Sequence, residues 1–145
     1  MKIDVEKIEK IKGQIRIDEL MKNHTTFNVG GPADVLLLPK DIEDVQYIVN
    51  YAKSEEIPYY VIGNGSNLLV GDNGIRGIVI KICKVLNEIM ISEDTITVGA
   101  GCFLPLLARE AMKHGLKGLE HVIGIPGTVG GGVLMNAGSG GHELS

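Results

Sequence analysis

Apolar residues recur along this chain in two rhythms, and their order gives the first outline of the fold. Val5, Ile8 and Ile11 stand at three-residue steps in an otherwise charged start, "MKIDVEKIEKIKG", which predicts a short amphipathic helix. The stretch "MKNHTTFNVGGPADVLLLP" is irregular and broken by glycines until the apolar run Ala33 to Leu38, read as a short strand. Asp41 is placed to cap a helix. Ile42, Val45, Ile48, Val49 and Ala52 then repeat with a helical period. Pro58 marks a restart, and "YYVIG" reads as a buried strand of the parallel type. A strand–helix–strand unit therefore runs into the glycine loop "GNGSN" at Gly63 to Asn67.

Beyond that loop the rhythm changes. "GDNGIRGIVIKI" predicts a turn and a strand, and "LNEIMISEDTITVGAG" alternates apolar residues on both sides of "SED", a hairpin pattern. Leu104, Leu107, Ala108, Ala111 and Met112 mark the face of a second helix, with Pro105 in its first turn and Gly115 at its C′ position. The tail, "GLEHVIGIPGTVGGGVLMNAGSGGHELS", keeps no period. These elements predict an α/β (α+β) protein: a helical N-terminal segment at 1–22, a small βαβ-like lobe at 23–81, and a lobe with antiparallel strands at 82–145. The chain ends at "GHELS" without a terminating element, so the second lobe is expected to be incomplete.

Composition narrows the function. Of 145 residues 44% are hydrophobic and 22% charged, as in ordinary globular domains. Glycine is in excess at 20 residues, eight of them between Gly124 and Gly141, so the excess calls for a local explanation. The net charge of −4 and the absence of tryptophan argue against nucleic acid, which is bound by neutralising phosphates and by stacking. The charged start has no apolar core of a signal peptide, and no apolar run approaches the ~20 residues of a membrane span. A cytoplasmic protein is expected. Cys83 and Cys102 lack metal-ligand or disulfide spacing and read as small buried hydrophobes.

Two glycine loops carry the candidate chemistry. A strand ending in "GNGSN" brings several backbone N–H groups to the carboxyl end of a parallel strand, where open α/β sheets bind ligands. Glycines allow close approach, and successive N–H groups form an anion cradle that needs no lysine. Leu68 stands where GxGxxG requires glycine, and no Gly-Lys-Ser/Thr triplet occurs. A tight, self-satisfied turn is the competing reading. In "GIPGTVGGGVLMNAG", Thr128 can cap a short helix whose surface Gly130, Gly131 and Gly132 strip of side chains. Each glycine costs a helix roughly 1 kcal/mol against alanine. Either close helix packing or close approach of an extended ligand would explain that cost. Together the loops predict two walls of one dinucleotide site. "VGAG" and "NVGGPA" read as structural turns. His24, His114, His121 and His142 show no metal-ligand spacing, although His24 is a candidate ligand contact. No Ser/His/Asp or paired-carboxylate constellation is present, and Asp72 and Glu120 stand alone.

"NHTTFNVGGPA", "YYVIGNGSNLLV", "GIRGIVIKI", "VGAG" and "GLEHVIGIPGTVGGGVLMNAG" together resemble the N-terminal part of the UDP-N-acetylenolpyruvoylglucosamine reductase (MurB) family, over about Asn23 to Gly141. Gly132, where the family more often has alanine, and "GSGG" are the departures. The resemblance implies an FAD-binding domain of the PCMH/vanillyl-alcohol-oxidase type, built of two subdomains with the flavin between them. It implies non-covalent FAD held by Gly63, Asn64, Gly65, Ser66, Asn67 and Leu68 on one side. On the other would stand Gly124, Ile125, Pro126, Gly127, Thr128, Gly130, Gly131, Asn136, Ala137 and Gly138. It further implies NADPH as reductant and an enolpyruvyl UDP-sugar as substrate, in the synthesis of peptidoglycan precursors. The family's catalytic arginine, serine and glutamate belong to segments downstream of Ser145, so no catalytic residue is expected in this chain. Arg76 and Arg109 lie in other motifs and do not take the arginine's role. A different flavin oxidoreductase of the same fold, or a non-catalytic nucleotide-binding module, are the alternatives.

Overall fold

Gln14–Leu20, inside the segment expected to be helical, forms a strand, β1, and the N-terminal helix α1 is confined to Val5–Ile8. A computed structural model describes residues 3–144. Ile15 and Ile17 carry the two-residue alternation of a strand, but Arg16, Asp18 and Glu19 between and after them obscure it. The strand is recognisable from its partner: β2, Pro32–Leu38, pairs with it antiparallel from Gln14 opposite Leu38 to Leu20 opposite Pro32.

The main sheet runs β1-β2-β4-β3, where β3 is Tyr59–Ile62 and β4 is Ile75–Lys81. β4 is parallel to both of its neighbours. It thus lies between the two strands that flank α2, Ile42–Ser54. This insertion leaves β3 at the sheet edge. Tyr60 and Val61, on opposite faces of β3, are about half exposed at 51% and 48%, which corrects the expectation of a buried strand. The buried parallel character belongs to β2 and β4, whose Val35, Leu36, Leu37, Ile78, Val79 and Ile80 are almost wholly enclosed.

Each face of the sheet has its own core. Val35, Leu37, Ile78 and Ile80 pack with Ile48, Tyr51 and Ala52 of α2 and with Ile8 and Ile11. On the opposite face Leu36 and Val79 meet Met21, Ile62 and Val70. Asp41 caps α2 as expected, accepting from the Asp44 N–H at 3.0 Å. Ile42 is more exposed than its place in the periodic stripe predicts. A charged residue takes a buried place instead: the Asp44 carboxylate accepts from the backbone N–H groups of Lys12, Gly13 and Lys40 at 2.8–2.9 Å.

The second half begins with the expected hairpin, β5 (Ile89–Ser92) antiparallel to β6 (Thr95–Val98). Helix α3, Leu104–Lys113, buries Leu104, Leu107, Ala108 and Ala111 but leaves Met112 in solvent. Gly115, at φ +70°, follows its C-terminus. A third cluster joins Leu104 and Ala108 to Val122. The aperiodic tail contains a short helix α4, Val129–Leu134, and a minimal hairpin of β7 (Gly138–Ser139) and β8 (His142–Glu143). Thr128 precedes α4 but makes no side-chain cap, contrary to expectation. It is instead buried where its backbone bridges Phe103. Cys83 and Cys102 are buried and free. Among the described residues no helix is long and apolar enough to cross a membrane.

Candidate functional site

The parallel strands β2, β4 and β3 all end on the same side of the sheet, and Gly63 follows directly on β3. The loop there meets the "GIPGT" segment across a cavity of about 460 Å³. Gly63 to Leu68 form one wall; Ile125 to Thr128 with Gly131, Ala137 and Gly138 form the other. The fold therefore brings together two segments roughly sixty residues apart in sequence.

Three expected residues lie outside this lining. Gly124 is exposed with nothing near its missing side chain. Gly130 is pressed against Ala100, where a Cβ would come within 2.9 Å of the Ala100 Cβ. The Asn136 Nδ2 turns to the Glu143 carboxylate at 2.6 Å. Val61, Ile62, Leu104, Gly132, Leu134 and Met135 line the cavity in addition. Gly132 belongs to the glycine triplet that the sequence marks for either close packing or ligand approach, whereas the others read from sequence only as strand or helix residues or carry no assignment. Adjacency to the glycine motifs was the one signal that could have pointed to them.

The glycines divide by what surrounds them. A side chain at Gly63 would collide with Thr128, so this glycine lets the two loops touch. Gly65, at φ +72°, lies against the His24 carbonyl, where any Cβ would collide. Its own carbonyl accepts from the Thr26 backbone and hydroxyl, both at 3.2 Å. Gly132 packs on Leu104. Gly127 and Gly131 differ from these. A Cβ at Gly127 would find Ser66 Oγ at 3.5 Å, ordinary contact, and one at Gly131 only Thr128 Oγ1 at 3.4 Å. Neither has positive φ. Fold geometry does not demand glycine at these two positions; what their missing side chains do is keep the cavity open.

The hydrogen-bond inventory points the same way. Among the described residues the backbone N–H groups of Asn64, Gly65, Ser66 and Asn67 donate to no acceptor of the chain, nor does that of Thr128. By contrast Val129 and Gly130, at the start of α4, donate to the Cys102 and Ala100 carbonyls at 2.8 Å. A run of free N–H groups on one wall with one more opposite suits an anion with delocalised charge, because each such hydrogen bond contributes about 1.5–3 kcal/mol. The apolar lining suits a flat or extended organic body. A flavin dinucleotide has both parts, so the residues present fit the group.

Other candidates resolve as structure. Gly99 and Gly101 lie against the carbonyls of Leu86, Val85 and Ile82, as a turn would. Gly31 lies against Asp72. Arg76 pairs with Asp34, and His114 sits at the C-terminus of α3 with Nδ1 2.9 Å from the Glu110 carbonyl. His24 is buried outside this cavity. Its Nε2 lies 2.8 Å from Glu19, and its Nδ1 lies 3.4 Å from Lys81 Nζ. An ammonium can only donate, so Nδ1 accepts and Nε2–H donates to Glu19. That hydrogen bond, helped by Arg16, holds the Glu19 carboxyl below its ordinary range. Among the described residues no group of three or more His, Cys, Asp or Glu could hold a metal ion.

Comparison with known proteins agrees with this geometry. The chain is 50% identical over 131 residues to a UDP-N-acetylenolpyruvoylglucosamine reductase of Clostridium tetani, covering 90% of this chain and 42% of that protein. The crystal structure of the reductase (MurB) from Thermus caldophilus superposes with a TM-score of 0.67 at 40% identity, over 92% of this chain and 45% of that one. 6-Hydroxy-D-nicotine oxidase of Arthrobacter nicotinovorans, at 22% identity and a TM-score of 0.56 over 73% of this chain and 25% of its own, shares the fold. The chain thus spans less than half the length of these relatives. The profile of the FAD binding domain matches residues 33–145, a span that contains both walls of the cavity, and the chain belongs to that FAD-binding family.

Proposed function

We propose that this chain is the flavin-holding part of a cytoplasmic, NADPH-dependent reductase that converts the enolpyruvyl ether of UDP-N-acetylglucosamine to UDP-N-acetylmuramate. The observation that carries the reading is the pair of glycines, Gly127 and Gly131, whose absent side chains clear a cavity and relieve no clash. The diphosphate is held by the N–H groups of Asn64 to Asn67 with that of Thr128 opposite, and Leu68 with Ile125, Pro126 and Ala137 complete the walls. Apolar Val61, Ile62, Leu134 and Met135 exclude water from the cofactor's body. Held by these residues, FAD would supply two-electron redox chemistry for that reduction. Segments 23–81 and 82–145 act as the two cofactor-binding subdomains.

Titration of FAD into the purified chain, followed by flavin fluorescence and visible absorbance, tests the reading. Saturable binding that acid releases as intact FAD is expected. No binding by the wild-type chain, folded by circular dichroism, would sink it.

A further inference from the structure

The glycine loop is gripped by a turn that lines none of its cavity. The Gly65 carbonyl accepts two hydrogen bonds from one residue, from the backbone N–H and the hydroxyl of Thr26, each at 3.2 Å. Thr26 itself lies outside the cavity's lining. Its turn is fixed at several points. The His24 carbonyl lies against Gly65, where a Cβ would stand. The His24 ring reaches Glu19 on β1 at 2.8 Å and Lys81 at the end of β4 at 3.4 Å. His24 and Lys81 line a second cavity, of about 670 Å³, which shares Asn64 with the first. Within the turn, the Thr25 hydroxyl donates to the Val29 carbonyl at 3.0 Å and the Asn28 amide to the Thr26 carbonyl at 3.3 Å. Thr26 is thus presented to the glycine loop by a segment tied to two strands of the main sheet.

Peptide geometry turns this grip into a direction. A trans peptide is planar, so its C=O and N–H point opposite ways, and none of the described peptide bonds is cis. The peptide that carries the Gly65 carbonyl also carries the Ser66 N–H. With the carbonyl held toward Thr26, that N–H points away from Thr26, and Ser66 lines the cavity. The same N–H donates to no acceptor of the chain. Gly65 sits at φ +72°, and glycine's conformational freedom would let an unheld peptide plane turn over. A reversed plane would present a carbonyl oxygen where an anion needs a donor. We infer that Thr26 is a positioning residue for the diphosphate of the flavin, acting through Gly65 to keep the Ser66 N–H turned into the cavity. This role rests on the flavin reading above.

Titration of FAD into the wild-type chain, Thr26→Val and Thr26→Ser tests the inference, with the Ser66 amide followed by 1H–15N NMR. Thr26→Val keeps the shape and removes the hydroxyl donor, and Thr26→Ser restores it. The Kd for FAD should rise about fivefold in Thr26→Val and stay within about twofold of wild type in Thr26→Ser. Thr26 is exposed, so the Tm of both should stay within a few degrees; if Thr26→Val is unstable, Thr26→Ala replaces it with the same expectations. On FAD binding the Ser66 amide proton should move downfield in wild type and Thr26→Ser, as an N–H gaining a phosphate acceptor does, and move less in Thr26→Val. Unchanged FAD affinity in a folded Thr26→Val chain, or equal loss in the valine and serine variants, would overturn the inference. So would weaker binding with the Ser66 shift intact, because the hydroxyl would then act elsewhere. A folded wild-type chain that binds no FAD defeats the flavin reading and this role with it, whereas FAD binding indifferent to Thr26 defeats this role alone.

Discussion

Gly65 and Gly127 sit on facing loops, and valine should fail at each for a different reason. At Gly65 a side chain meets the His24 carbonyl at positive φ, a backbone conflict of the kind that produces large stability losses. Gly65→Val is expected to lose about 3 kcal/mol or more in urea unfolding. At Gly127 the Cβ itself is tolerated, and the valine branches extend toward the cavity. Gly127→Val should keep its Tm within a few degrees while weakening FAD binding at least tenfold. A stable Gly127→Val chain that binds FAD as tightly as wild type would remove the two-wall cradle. Glu19 gives a second test at this scale. Its carboxyl is held below the ordinary 4.5 by the hydrogen bond from His24. A lowered folded value contributes stability at pH above the unfolded value, and that contribution disappears as pH falls through the folded one. The urea midpoint of the wild type should therefore drop below about pH 4.5 more steeply than that of Glu19→Gln. Parallel curves would contradict the assignment.

Among the elements, the one most open to test is the carboxylate under the start of α2. Asp44 ties the turn before β1, through the Lys12 and Gly13 N–H groups, to the end of β2 through that of Lys40. Asp44→Ala leaves three partly buried donors without an acceptor, each worth about 1–3 kcal/mol. A loss of at least 3 kcal/mol is expected by chemical denaturation, and a loss under 1 kcal/mol would contradict this role. Nothing in the sequence announced it, because an acid in the first turn of a helix ordinarily reads as a solvated partner of the helix dipole. Elements with long, uninterrupted periods were legible: α2, α3, the β5–β6 hairpin and the apolar run of β2. β1 was hidden because only two of its seven residues, Ile15 and Ile17, carry the alternation before Leu20. The edge position of β3 was equally hidden. Its composition is that of a buried strand, and its place depends on β4, which pairs from later in the chain. At the site, both glycine walls were legible from composition. What composition could not show was which glycines leave the cavity open and which serve packing, since that depends on what each absent Cβ would touch.

For the molecule as a whole, the glycine cavity offers binding and little else. Among the described residues the lining of the glycine cavity has no acid, base or cation, while the neighbouring cavity is lined by lysines and an arginine. Reduction of an enolpyruvyl double bond needs a positioned proton donor and stabilisation of the developing carbanion. The purified 145-residue chain is therefore expected to bind FAD without coupling NADPH oxidation to consumption of the UDP-sugar. Stoichiometric coupled turnover by this chain alone would show that a proton donor lies among residues assigned here to structure.

The strand order carries a consequence for how the site comes into being. β2 and β3 share no edge; the strand that joins them, β4, begins only at Ile75. Until Ile75–Lys81 zips between its neighbours, the segment that ends in the glycine loop has no sheet to belong to. Its incorporation must await a non-local pairing, the slow kind of event in folding. During synthesis, the β1–β2 hairpin and α2 can form early, while the glycine loop after β3 can take its place in the sheet only after residue 81 has emerged. In pulsed hydrogen exchange during refolding, the amides of β3 should gain protection together with those of β4 and after those of α2. Protection of β3 ahead of β4 would mean that the loop is shaped by local forces and the central strand merely fills a gap already made.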